Sequence, residues 1–142
     1  MSDGFRVRVA DWVRDRPALQ EVRRAVFVDE QRVPEALEWD GVDGDCRHAI
    51  ALDATGRAIG CARLLPDGHI GRVAVLAPYR GCGVGDALMQ CMLALAVELG
   101  HRRVIVNAQT HALAFYERLG FVAIGEEYDD AGIPHRAMER SL

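Results

Sequence analysis

Apolar and polar positions alternate in FRVRVA (5–10), which predicts a strand. Leu19, Val22 and Val26 then recur at helical spacing, and Val33 extends the pattern toward Pro34, which ends it. Asp15 is the candidate cap of that helix, with Pro17 in its first turn. HAIALD (48–53), AIGCARLL (58–65) and HIGRVAVL (69–76) read as strands. An Ala-Thr-Gly-Arg turn joins the first two, and Pro66-Asp67-Gly68 joins the second pair. Val84, Leu88, Cys91, Leu95 and Leu99 mark one stripe of a helix over about 84–99, with Gly100 closing it. RVIVNA (103–108) suits a strand buried in a sheet. A short helix over 111–119, capped by Thr110 and closed by Gly120, precedes a final strand pair, FVAIGE (121–126) and PHRAMER (134–140). The order β α β β β α β α β β places hairpins first and crossovers later. It predicts an α+β or α/β mixed sheet with helices on its faces.

Composition narrows the class. The 142 residues fit one domain, residues 1–142, and half of them are apolar. No apolar run reaches the roughly 18–20 residues that span a bilayer. MSDGFRVRVADW carries no apolar leader core, so a cytoplasmic protein without membrane partners is expected. Cys46, Cys61, Cys82 and Cys91 form no CxxC pair, so no structural metal is expected. The net charge of −4 argues against nucleic acid as a partner. All 17 basic residues are arginine.

The candidate chemistry lies in YRGCGVGDALM (79–89), where Gly81, Gly83 and Gly85 precede a helix. A nucleotide P-loop needs a lysine on the phosphates, and the chain has none. A dinucleotide fingerprint needs GxGxxG after the first strand and an acid about 20 residues on. The spacing here is GxGxG, late in the chain, and position 105 is Ile. A turn without a ligand is the third reading. Free N–H groups at a helix start, with Arg80 beside them, make a site suited to a diphosphate. Asp86 would repel that anion and is expected to point away.

Arg80-Gly81-Cys82-Gly83-Val84-Gly85 resembles the [QR]-x-x-G-x-[GA] signature of the GCN5-related N-acetyltransferases. IGRVAVLAPYRG (70–81) and AFYERLGFV (114–122) match that family's loop-approach strand and C-terminal motif in order. RRAVFVDEQRVPEALEWDGVD, ARLLPDGHIGRVAV and GIPH are similar to the small bacterial ElaA-type subgroup. The resemblance implies a mixed, mostly antiparallel sheet of six to seven strands flanked by about four helices. It implies acetyl-CoA as co-substrate and no metal. The diphosphate would lie on the amides of Gly81, Cys82, Gly83, Val84, Gly85 and Asp86. The pantetheine arm would lie along Val73, Ala74 and Val75, in a slot between 70–76 and 103–108. A backbone N–H near Val75 would polarise the thioester carbonyl.

Tyr116 matches the family's general acid, and Asn107 is a candidate to hold the arm or the acceptor. Gln109 stands where many relatives have asparagine. The base is open among His48, His69, His111, His135, Glu30, Glu38 and Asp40. His48, opening a strand after an acidic loop, is the first choice. From Asp29 to Asp45 there are seven acids and one base, Arg32. Glu30, Glu38 and Asp40, with Trp39 as a wall, are therefore candidates to bind a cationic amine. The acceptor is expected to be a small molecule or peptide amine, and a homodimer is one candidate assembly. Two other readings stay open. Arg23, Arg24, Val26, Phe27, Trp39, Asp40 and Asp43 loosely resemble an acyl-homoserine-lactone synthase. A catalytically idle coenzyme A sensor is the other.

Overall fold

The computed structural model describes residues 4–142. β1 (Phe5–Ala10) leads into α1 (Trp12–Arg23). Asp11, not Asp15, caps this helix: its carboxylate accepts from the amides of Val13 and Arg14 at 3.0 and 3.2 Å. Asp15 instead accepts both branches of the Arg8 guanidinium at 2.9 and 3.0 Å, which ties α1 to β1. The helix continues as a π-helical stretch, Arg24–Glu30, and stops short of Val33 at Arg32, whose φ is +62°. The acidic segment holds one α-helical turn, α2 (Glu35–Glu38), and a 3-10 turn, Asp43–Asp45.

β2 (Arg47–Asp53), β3 (Ala58–Leu64) and β4 (His69–Val75) form the expected meander. α3 (Val84–Glu98) crosses to β5 (Arg103–Gln109), and α4 (Leu113–Arg118) follows. α4 starts after a short 3-10 turn, and Thr110 makes no side-chain cap. The chain ends in β6 (Val122–Ala123), β7 (Tyr128–Asp130) and β8 (Ile133–Ser141). The final pair of the sequence reading is therefore three strands. β8 runs the length of β5, with β6 and β7 on its other side.

The sheet has eight strands in the order β1-β2-β3-β4-β5-β8-β6, with β7 beside β8. Every pairing is antiparallel except β4 with β5. One face packs on α3 and α4 through Leu88, Met89, Met92, Val104, Val106 and Phe121. The other packs on α1 through Leu19, Val22, Val26 and Ile50. The buried stripe of α3 is set by Leu88, Met92 and Leu95; Cys91 is only half-buried and Leu99 is exposed. α3 closes with the His101 amide on the Ala96 carbonyl and the Gly100 amide on that of Val97, both at 3.0 Å. No helix among the described residues is long and apolar enough to cross a membrane.

The sheet breaks at one place. Cys61 pairs with Ala74 and Arg63 with Gly71, so Ala62 faces both Arg72 and Val73. This is a bulge, and Arg72 adopts φ +50° to make it. A bulged strand bends, and β4 pairs with β5 only at His69–Ile105 and Ile70–Val106 before the two diverge.

Leu88 is fully buried and Leu99 lies at the helix end with 44% exposure. Leu88→Ala should therefore cost about 2–5 kcal/mol in urea unfolding, and Leu99→Ala under roughly 1 kcal/mol. Equal costs would contradict the helix orientation.

Candidate functional site

Beyond the last shared pair, β4 and β5 open a cleft of about 940 Å³. Its walls are the π-helical stretch (Phe27, Glu30, Gln31), β4 from His69 to Val75, Asn107 and Gln109 of β5, Phe115 and Tyr116 of α4, and His135 of β8. Leu76 donates its amide to Ile59 on β3 at 2.9 Å. By alternation Ala74 also turns toward β3, and Val73 and Val75 present their backbone groups to the gap. A second cavity of about 460 Å³ adjoins it, bordered by Arg80, Gly81, Gly83, Val84, Gly85, Asp86 and Phe115.

That cavity lies at the start of α3. Gly81 and Gly83 take φ +78° and +89°, and a Cβ at either would meet nothing within 4 Å. They are glycine because of the backbone angle, and the space above them is open. Among the described residues, no amide from Gly81 to Asp86 donates a hydrogen bond; the ladder starts with Ala87 donating to Gly83. A run of free N–H groups at the positive end of a four-turn helix suits an anion. Asp86 borders the cavity, while exposed Cys82 lies outside its lining.

Arg80 is anchored rather than free. Its Nε donates to the Val75 carbonyl at 2.9 Å, and its two Nη atoms meet both Glu30 oxygens at 2.7 Å. This fork holds the Glu30 carboxyl below its usual range. Glu30 thus borders the cleft as the partner of Arg80, not as a free amine-binding acid.

The chain belongs to the GNAT acetyltransferase family. The family model described as an acetyltransferase (GNAT) domain matches residues 14–142. The chain is 37% identical over 121 residues to a Bacillus subtilis protein named uncharacterized N-acetyltransferase YjcF, covering 82% of this chain and 86% of that one. It is 35% identical over 133 residues to ElaA of Escherichia coli, covering 88% and 86%. Among solved structures, an acyl-CoA N-acyltransferase from Pseudomonas aeruginosa superposes with a TM-score of 0.83 at 36% identity, covering 99% and 100%. The E. coli ElaA crystal structure superposes at 0.81.

The GNAT cleft sorts the remaining candidates. Tyr116 borders it from α4, packed edge-on against Phe115 and Phe121 at 5.0 and 5.7 Å. Burial pushes its hydroxyl up to about 12, so it stays protonated at neutral pH. Asn107 is exposed on the cleft wall. Gln109 donates its amide to Gln31 at 2.8 Å, linking β5 to the π-helical stretch.

His48 does not reach the cleft. It is 3% exposed, stacks on Trp12 at 4.6 Å and shares a 2.9 Å hydrogen bond between Nε2 and the Asp43 carbonyl. Burial lowers its affinity for a proton. Its place on a strand next to the acids made it look catalytic, but the strand turns the ring into the α1 interface. Trp39 and Asp40 also stand outside the cleft lining, and Trp39 lies under the guanidinium groups of Arg23 and Arg24.

Five of the seven acids from Asp29 to Asp45 are paired with arginines, Glu30 and Glu35 among them. Arg23 reaches Glu38 and Asp43 at 2.8 and 2.7 Å. Arg63 pairs with Asp40 and Asp43, and Arg72 lies 3.0 Å from Glu38. Three arginines meet three carboxylates, so the cluster is neutral. Only Glu38, Arg63 and Arg72 of it border the cleft. Buried pairs of this kind add little net stability, but removing one partner strands a charge.

Glu38→Ala should therefore lower stability by about 3–5 kcal/mol. Hydrogen bonding from Arg63 holds Asp40 down from 3.8 to about 2. Its contribution is complete above the ordinary value and is lost as pH falls toward 2. Asp40→Asn should flatten that acid limb in a pH series of chemical unfolding; an unchanged limb would contradict the pairing.

Proposed function

We propose that this chain moves the acetyl group of acetyl-CoA to a primary amine by direct attack, with both substrates bound together. The observation that carries the reading is the run of free amides from Gly81 to Asp86, opening beside the gap where β4 leaves β5. A diphosphate fits those N–H groups, and an extended amide-bearing arm fits the backbone that Val73 and Val75 turn toward the gap. The names of the YjcF relative and the Pseudomonas structure point to the same chemistry.

Acetyl-CoA supplies an activated acyl group as a thioester. The residues of the chain supply the rest. The amides of residues 81–86 and the open glycines at 81 and 83 hold the anionic end. The Val75 region offers an N–H to the carbonyl oxygen. The Tyr116 hydroxyl keeps a proton for the departing sulfur. Asn107, exposed on the wall, is placed to hold the arm or the acceptor. The acceptor is read as an amine of a small molecule or peptide. The neutral arginine–carboxylate cluster gives no reason for it to be strongly cationic.

Thiol release from acetyl-CoA across an amine panel tests the activity; no turnover on any amine would leave only a coenzyme A-binding role. Tyr116→Phe should lower kcat by roughly 10²-fold while calorimetric affinity for acetyl-CoA stays unchanged. Gly83→Val forces a β-branched residue to a positive φ and should weaken acetyl-CoA binding at least about tenfold, 1.4 kcal/mol. Unchanged affinity in a folded variant would refute the cradle.

A further inference from the structure

An amine that arrives protonated must lose a proton before it attacks, on the side from which it enters. Three histidines border the cleft: His69, His111 and His135. His111 is exposed on the turn before α4, and its ring makes no hydrogen bond among the described residues. His69 opens β4; its Nδ1 lies 3.0 Å from Asp67 Oδ1, and both side chains are substantially exposed, at 35% and 62%. His135 is set differently. Half-buried on β8, it stacks on Tyr128 at 5.9 Å, and its Nδ1 lies 2.7 Å from the Ile133 carbonyl. A carbonyl oxygen only accepts, so Nδ1 carries the hydrogen. The neutral ring then presents its lone pair at Nε2. Among the described residues, Nε2 has no hydrogen-bond partner and is not a buried orphan.

The sheet decides which side of the cleft this lone pair serves. Val104, Val106 and Ala108 of β5 are buried, and the intervening Ile105, Asn107 and Gln109 belong to the opposite face. His135 pairs directly with Gln109, so it shares that face. Gln109 is linked there to Gln31 of the π-helical stretch. Tyr116 packs into the α3–α4 core on the other face, with Val104, Val106 and Ala108. The two proton-handling groups thus reach the cleft from opposite faces of β5.

We propose that His135 is the general base of the transfer; this rests on the N-acetyltransferase reading above. An N–H bond of the acceptor's ammonium breaks and its proton passes to Nε2. The resulting imidazolium keeps its Nδ1–H bond to the Ile133 carbonyl. The freed electron pair forms the bond from nitrogen to the acyl carbon as the bond from carbon to sulfur breaks. Tyr116 gives its hydroxyl proton to the sulfur, and its phenolate takes the second proton from the new amide nitrogen. The imidazolium returns its proton to water. Of the titratable groups, Tyr128 of β7 stacks on the ring, and Asp130, His111, His69, Glu30 and Glu38 share the cleft lining with it. β5 opposes it with the uncharged Gln109 and Asn107, and Arg136 is turned away to the Gly125 carbonyl.

The test is the pH profile of kcat/KM for the wild-type chain and for His135→Gln and His135→Asn. Each variant is checked by calorimetry for unchanged acetyl-CoA binding. Wild type should show an acid limb. The variants should lose it, and kcat/KM at neutral pH should fall by roughly 10²-fold or more. A retained limb overturns the proposal, as does its loss in His69→Gln instead. Nitrogen-15 NMR of the wild-type imidazoles adds a readout independent of turnover. It should find His135 as the Nδ1–H tautomer, and an Nε2–H tautomer would overturn the assignment. Wild type that turns over no amine overturns the transfer reading and this one with it. Turnover with an unchanged profile in both variants overturns this one alone.

Discussion

Everything functional in this chain depends on β4 parting from β5. A parallel pair normally continues for the length of both strands, yet this one stops after two residue pairs. The cause is local. Two residues of β4 face one of β3, and Arg72 takes a left-handed conformation that costs on the order of 1–3 kcal/mol outside glycine. The surroundings hold that residue in place. Its guanidinium lies against Glu38 and Asp40 and donates to the Leu37 and Glu38 carbonyls. The bulge and the arginine–carboxylate cluster are therefore one device, which opens a slot in an otherwise continuous sheet.

The slot organises the rest. Its floor is the backbone that Val73 and Val75 turn toward the gap, with the Val75 carbonyl held by Arg80. Its far end is the α3 start, where glycine angles leave a row of amides unused. Tyr116 closes it from the α4 core face, and the Gln31–Gln109 link closes it from the α1 face. Arg80 joins these parts, since it holds the Val75 carbonyl and Glu30 at once. The slot and the row of free amides are thus both made by backbone geometry, and Arg80 pins them together.

Much of this was legible in the sequence, because period and punctuation are local. The meander, the α3 stripe around Leu88 and Leu95, and the glycine loop were all read from short windows. β7 was missed because three exposed residues, Tyr128 to Asp130, carry no apolar alternation. Asp11 and Asp15 were confused because both are acids near a helix start, and only the Arg8 contact separates them. The pairing of the acidic segment was the least legible feature. Glu38, Asp40 and Asp43 looked like an open acidic patch. Their partners Arg23, Arg63 and Arg72 come from three other elements, and no local pattern records that. His48 and His135 both lie near the start of a strand, so nothing in one dimension says which ring faces the cleft.

The central claim is that the free amides at the start of α3 receive the diphosphate of acetyl-CoA. Amide chemical shifts of the isotope-labelled chain, followed through an acetyl-CoA titration, test it most directly. The amides from Gly81 to Asp86 should move strongly, together with those of Val73 and Val75. Saturating ligand that leaves the 81–86 amides in place, or moves only residues elsewhere, would contradict the account.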